Sequence, residues 1–357
     1  MSTTIDKQKG SADAPVPSDS EKKESWLNRL YTGTGGFPIV QKRKFYYAIS
    51  LIILLICLGS VVFRGFALGI DFEGGTKLSV PAAGVDTEVA SQIVSDATGE
   101  EVAEAQLIGA GGGRQVEIQM PFLSTQQITD AKNALFEEYQ PVNAAGEVSP
   151  NAIGDSNRSE SWGSAVTKQA VIALIAFVAI VFVYIMIRFE AAMSAAAMAS
   201  MLYVLVFTAG IYSIVGWEVT PAMVIGLLTI LGFALYDTVV VFDKVQENTE
   251  GIRHRSKFTY SEEANLAVNQ TLMRSINTTV ISLLPLAALV IIAVVILGVG
   301  TLRDLALVQV VGIFTGTLSS IFLATPLLVD IKTRRKDIKK HDEAVMRRRQ
   351  QAEAASS

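Results

Sequence analysis

Only one cysteine, Cys57, and two histidines, His254 and His341, occur in 357 residues. No disulfide can form within the chain, and no Cys/His spacing of a zinc or other metal site is present. Charged residues make up 18% of the sequence, where an average soluble chain has about 25%. Hydrophobic residues fill the difference and reach 50%. Such a composition argues against an ordinary soluble enzyme and fits a protein that crosses a membrane several times. Paired carboxylates, a nucleophile elbow and a phosphate-binding glycine loop are also missing, so neither enzyme chemistry nor a cofactor is expected. The net charge of −4 excludes little, because the charges are unevenly placed.

The first 40 or so residues are polar, with Pro15 and Pro17 in a Ser/Asp/Glu/Lys mixture that cannot build a core. The first apolar run starts too late and runs too long for a cleavable signal peptide, and reads as a transmembrane helix. Six stretches reach spanning length, near 45–63, 168–188, 192–214, 220–242, 276–298 and 305–329. The expected organisation is a polar tail over 1–43, a first helix over 44–64 and an extracytoplasmic domain over 65–166. Helices two to six follow over 167–330, interrupted by a loop at 243–274, and a basic tail covers 331–357. Lysines and arginines set the orientation. Lys42, Arg43 and Lys44, Arg188, the basic residues of 243–274 and those after Lys332 all fall on one side if the helices alternate. The termini are therefore expected in the cytoplasm. The turns holding Trp217-Glu218 and Arg303-Asp304 lie on the other side, with the domain.

That domain reads as a small α+β fold. Thr76–Val80 alternates like a strand, and Val89, Ile93 and Val94 share one face of a helix over Thr87–Ala97. Two strands flank Gly111–Gly113, and Ser124 with Gln127 makes a capping box for a second helix lined by Ile128, Ala131, Leu135 and Phe136. The order βαβ-βαβ predicts a ferredoxin-like unit whose last strand precedes Trp162. A binding surface is its expected role.

One residue organises the membrane part. Asp237 sits inside the fourth apolar run, six residues before Asp243 at its polar end, or about 9 Å into the helix. An acid in hydrocarbon costs about 2.5–3.5 kcal/mol, so an ion or proton route is weighed above simple packing. Arg274 lies where the 243–274 loop becomes the fifth helix, and helical spacing puts it on one stripe with Thr278 and Ser282. Counted from the inner helix ends, Thr278 is level with Asp237 and Arg274 about a turn below, so Arg274 is either the partner cation or an interfacial anchor. Small residues describe packing: Gly226 and Gly232, the run Ala191–Ser200, and a GxxxG at Gly312 and Gly316. Thr315, Thr317, Ser319 and Ser320 add hydroxyls that bond across helices or to their own backbone, and Pro285 is expected to kink the fifth helix. The basic tail is expected to hold its helix end inside, with an affinity for anionic lipid or ribosomal RNA as the lesser alternative.

Several long motifs resemble, in the right order, the SecF family, the smaller subunits of the bacterial SecDF accessory factor of protein export. Gly69–Thr76 carries Asp71, Gly74 and Gly75; Ser161–Ala170 carries Trp162 and Gly163. Ile187–Glu190, Gly216–Pro221, Leu235–Lys244 with Asp237 and Asp243, Asn269–Arg274 and Gly316–Phe322 complete the set. The resemblance implies a six-helix partner, SecD, and a twelve-helix transporter of the resistance-nodulation-division type. It further implies docking to the SecYEG channel and use of the proton motive force to assist exported polypeptide chains. Membrane lipids and protons are then its small partners, and no nucleic acid is expected. By motif match, Asp237, Arg274 and Thr278 occupy the positions tied to the proton path. One departure stands out: where the family usually has a His-Asp pair in the third helix, this chain has Tyr203-Val204.

Three functions compete: a proton-driven export subunit, a half-transporter of small molecules or lipids, and a passive scaffold of the channel. The single small outer domain argues against the second, and Asp237 against the third.

Overall fold

Among the described residues of the computed structural model, six helices are long and apolar enough to cross a bilayer. The structure describes residues 36–81, 84–108, 114–142, 147–255, 257–292 and 300–356. Most of the N-terminal polar tail and the Gly111–Gly113 turn lie outside these residues.

Helix α1 (Arg43–Arg64) leads to a two-residue strand β1 (Ala67–Leu68) and a single helical turn α2 (Ile70–Glu73). The α/β domain follows as β2 (Gly75–Pro81), α3 (Thr87–Thr98), β3 (Glu104–Ile108), β4 (Gln115–Met120), α4 (Thr125–Tyr139) and β5 (Gly154–Arg158). Its sheet order is β3-β4-β2-β5, antiparallel throughout, which is the ferredoxin-like arrangement. Alternation along β2 and β4 turns Leu78, Val80, Val116, Ile118 and Met120 onto one face, where α3 and α4 cover them. The Ser124–Gln127 capping box is formed. On α3 the buried face is Ala90, Val94 and Thr98, while Val89 points to solvent. Of the expected Val89–Ile93–Val94 face, Val94 is buried and Ile93 packs against the core, while Ala90 stands in the place expected of Val89.

From β5 the chain runs without a break into α5 (Glu160–Arg188), then α6 (Ala191–Val215), strand β6 (Glu218–Val219) and α7 (Pro221–Thr249). Helix α8 spans Tyr260–Val290 and continues through Pro285. The last membrane helix is α9 (Gly300–Ser319), a π-helical turn (Ser320–Ala324) and α10 (Thr325–Thr333). A further helix, α11 (Lys336–Ser356), ends the chain.

One expectation on the tail side needs correction. Segment 243–274 is mostly helix: α7 continues to Thr249 and α8 already begins at Tyr260, with its own Thr259/Glu262 capping box. Polar residues extend both helices beyond the apolar runs, where hydropathy carries no signal. The basic tail is likewise a packed helix. Ile338 and Val345 are buried, Asp342 accepts from the Tyr260 backbone N–H (2.9 Å), and Arg349 binds both oxygens of Glu262 (2.7 Å each). Burial pushes the Asp342 carboxyl above its ordinary range. Ahead of α1, Ile39 and Val40 join the core, and Asn265 and Asn269 of α8 hold the backbone of Phe37 and Val40.

Helices α7 and α9 pack most closely, through glycines. An added Cβ at Gly316 would come within 2.9 Å of that of Ala234, and one at Gly312 would strike Ile230. Gly226 faces Val308 and Leu305 in the same seam. Gly232, expected to thin the same helix, takes no part: a Cβ added there would have nothing within 4 Å. Helices α1 and α5 are covered little by the rest of this chain.

Candidate functional site

The buried stripe of α7 runs Leu227, Ile230, Leu231, Ala234, Asp237, Thr238 and Val241, the 3–4 spacing of one helix face. Asp237 therefore points into the bundle because its whole stripe does, and it is 4% exposed. Its partners are hydroxyls. Ser275 Oγ of α8 donates to Oδ1 at 2.7 Å, and Ser320 Oγ, the first residue of the π turn, donates to Oδ2. On the domain side of Asp237 the hydroxyls continue: Thr279 Oγ1 and Thr317 Oγ1 share a hydrogen bond of 2.6 Å, and Thr279 also donates to the Ser275 carbonyl. Beside this group, Ser200 of α6 bonds Ser319 at 2.7 Å.

Arg274 and Thr278 lie elsewhere. Arg274 is exposed on the bundle surface and donates to Tyr236 Oη at 3.2 Å; no ion pair joins it to Asp237. Thr278 is half-buried and its hydroxyl returns to the Arg274 carbonyl of its own helix (2.9 Å). Along α8, Ser275 and Thr279 form the adjacent stripe, turned by about 100°. That stripe faces Asp237. Ser275 and Ser320 are the site residues that sequence reasoning missed, although Ser320 stood in the hydroxyl run of the sixth helix.

This arrangement holds either state of the acid. Two hydroxyls donate to an ionised carboxylate from opposite helices. When Asp237 carries a proton, one hydroxyl must turn away, and Ser320 has another acceptor in the Thr317 carbonyl at 2.9 Å. No buried polar atom of the pair is then left without a partner, a state that would otherwise be costly. Val204, where the resemblance expects an acid, is fully buried in the apolar core shared with Ala234. Tyr203 stacks on Phe207 (6.1 Å) and lines a groove with Tyr47 and Ser50 of α1.

The other motif residues build corners. Gly74 (φ +82°) and Gly75 (φ +125°) take backbone conformations that side chains rarely adopt, and added Cβ atoms would meet Glu160 at 2.9 Å and the Met120 carbonyl at 2.7 Å. Gly163 is pressed against the Phe72 carbonyl, so α2 lies directly on the start of α5. Asp71 accepts from Arg158 Nε (3.1 Å), and Trp162 is exposed at the first turn of α5. At the tail side Asp243 pairs with Arg188 (2.9 Å). Next to it Glu190 is held below the ordinary carboxylate range, chiefly by its hydrogen bond from Lys332. Among the described residues no cluster of side chains has the composition of a metal site.

Comparison with known proteins gives concordant matches. A family described as "Protein export membrane protein SecD/SecF, C-terminal" matches residues 141–334, and the "SecD/SecF GG Motif" matches 59–83. Protein translocase subunit SecF of Mycobacterium tuberculosis is 49% identical over 333 residues, covering 93% of this chain and 75% of its own length. SecF of Streptomyces coelicolor is 39% identical, covering 91% of this chain and 85% of its own. The crystal structure of SecDF, a translocon-associated membrane protein from Thermus thermophilus, matches with a TM-score of 0.72 at 29% identity. That match covers 84% of this chain, which spans only 39% of the longer SecDF polypeptide.

Proposed function

The chain belongs to the SecF branch of the SecD/SecF family of protein export membrane proteins, and from that premise we propose that Asp237 is the proton-carrying group of an export subunit. As a family member it is a multi-pass membrane protein of Sec translocation. In this reading it works with SecD beside the SecYEG channel in the bacterial cytoplasmic membrane. Its α/β domain stands outside, its termini lie in the cytoplasm, and the proton motive force assists exported chains.

One observation carries the proposal. Asp237 is enclosed by three helices with no cation in ion-pair contact among the described residues, and one of its two hydroxyl donors has a second acceptor. A group kept only for packing needs no such alternative. Arg274 and the neighbouring Asn277 support the pairing with SecD, since both are exposed within a membrane helix. Polar groups at that depth face protein or water rather than lipid. The clustered Lys and Arg on the tail side support the orientation.

Membrane vesicles bearing the subunit with SecD and the channel provide the test. Asp237→Asn keeps the shape and one acceptor oxygen, as in the protonated acid, but cannot ionise. Export that depends on an imposed proton gradient is expected to vanish while the complex still assembles. Full gradient-driven export by the variant would leave the scaffold reading instead.

A further inference from the structure

A second buried charge cluster lies far from Asp237, where the α/β domain meets the bundle. Lys77, on the central strand β2, extends its ammonium to both carboxylate oxygens of Glu218, at 2.8 and 2.7 Å. Glu117 of β4 approaches the same nitrogen at 3.5 Å. Lys77 is 17% and Glu218 6% exposed, so this is no surface pair screened by solvent. Glu218 belongs to strand β6 in the turn between α6 and α7, and β6 pairs in parallel with β1, Ala67 opposite Glu218. Gly69 makes room for the contact, because a Cβ there would lie 2.6 Å from Glu218 Oε1.

Two residues further, Thr220 caps α7 through the Met223 N–H and donates to Asp304 of α9 at 3.1 Å. Asp304 in turn meets Arg303 at 3.3 Å. The sheet is thus tied through Lys77 and Glu218 to the first turn of the helix that carries Asp237, and through Thr220 to its neighbour α9. Among the described residues, other ties between the domain and the bundle include the α2–α5 corner, the two-residue β1–β6 pair and the direct run of β5 into α5.

We infer that Lys77 and Glu218 are positioning residues, an ionic latch that sets the orientation of the α/β domain on the domain-side end of α7. A shift of that helix end is then passed to the domain, and the reverse. The consequence for export rests on the function proposed above; the latch itself does not.

The test uses the full chain with SecD in nanodiscs, carrying Cys57→Ala and spin labels at Asn133→Cys and Val215→Cys. Asn133 is exposed on α4 and Val215 closes α6, so the label distance reports domain orientation. One narrow distribution is expected for the unmodified pair. Glu218→Gln is expected to broaden it about twofold, towards the relative motion usual between domains. The exchange Lys77→Glu with Glu218→Lys keeps one ammonium between two carboxylates and restores the narrow distribution. Unchanged width in Glu218→Gln, or no recovery in the exchange, overturns the latch. If Glu218→Gln does not accumulate, Lys77→Met is read the same way against Lys77→Arg, which keeps the charge and the narrow width. Because distances are read without export, a latch that holds while Asp237→Asn exports normally overturns the proton reading alone.

Discussion

Ser320 and Asp237 meet across the α7–α9 seam at the residue where α9 widens into a π turn, and the same serine hydroxyl lies 2.9 Å from the Thr317 carbonyl. Ser320 follows Gly312 and Gly316 at the i+4 spacing of the seam, and that spacing aims its side chain at α7. Single π turns recur at functional positions. Here the residue that opens the turn is a donor with two acceptors.

Ser320→Ala is therefore expected to leave Asp237 Oδ2 without a donor when ionised, at a cost of about 1–3 kcal/mol, or roughly tenfold or more in a rate that passes through that state. Gradient-driven export by membrane vesicles measures it. Ser320→Thr, which keeps the hydroxyl, should retain most activity. An alanine variant as active as the parent would remove Ser320 from the site.

The glycines of the α7–α9 seam make a contrast that needs no functional assay. Gly316→Ala places a methyl 2.9 Å from Ala234 Cβ, and overpacking of this kind costs about 1–3 kcal/mol. Gly232→Ala, on the same pair of helices, meets nothing within 4 Å. Thermal unfolding in detergent should show a lowered midpoint for Gly316→Ala and no lowering for Gly232→Ala. Equal midpoints would contradict the close approach.

The latch also predicts a pH response. Burial pulls the Lys77 ammonium down, but Glu117 and Glu218 outweigh it and hold the group above its ordinary 10.5. A folded-state value above the unfolded one contributes stability that is complete below about 10.5 and lost as pH rises through the raised value. Domain docking should thus be constant from neutral pH to about 10 and loosen only beyond it. Amide exchange at Gly69, whose N–H bonds the Val219 carbonyl at 2.9 Å, reports it after correction for intrinsic rates. Loosening already near neutral pH would contradict a raised value.

Much of this architecture was legible in the residues. Six apolar runs announced six helices, because hydrocarbon selects them by length and polarity. Strand alternation and the Ser124 cap announced the ferredoxin-like order. The 243–274 segment misled because helix beyond the membrane is polar and looks like loop to a hydropathy reading. At the site, α8 offers two hydroxyl-bearing stripes one residue apart, Arg274–Thr278 and Ser275–Thr279. Spacing alone does not say which of them faces α7; the packing of the seam decides. Ser320 continues the Gly312–Gly316 stripe at i+4, but only the packing shows that this stripe faces Asp237.

Helix α7 runs unbroken from Pro221 to Thr249. Asp237 is sixteen positions along it, so its distance from the capped end is about 24 Å at 1.5 Å per residue. A rigid rod of that reach acts as a lever arm. Tilting it by about 5° about the Thr220 cap carries the carboxylate sideways by about 2 Å, enough to part both serine hydrogen bonds at once. A few degrees of rocking at the membrane surface is therefore as decisive for the acid as a change in its own surroundings.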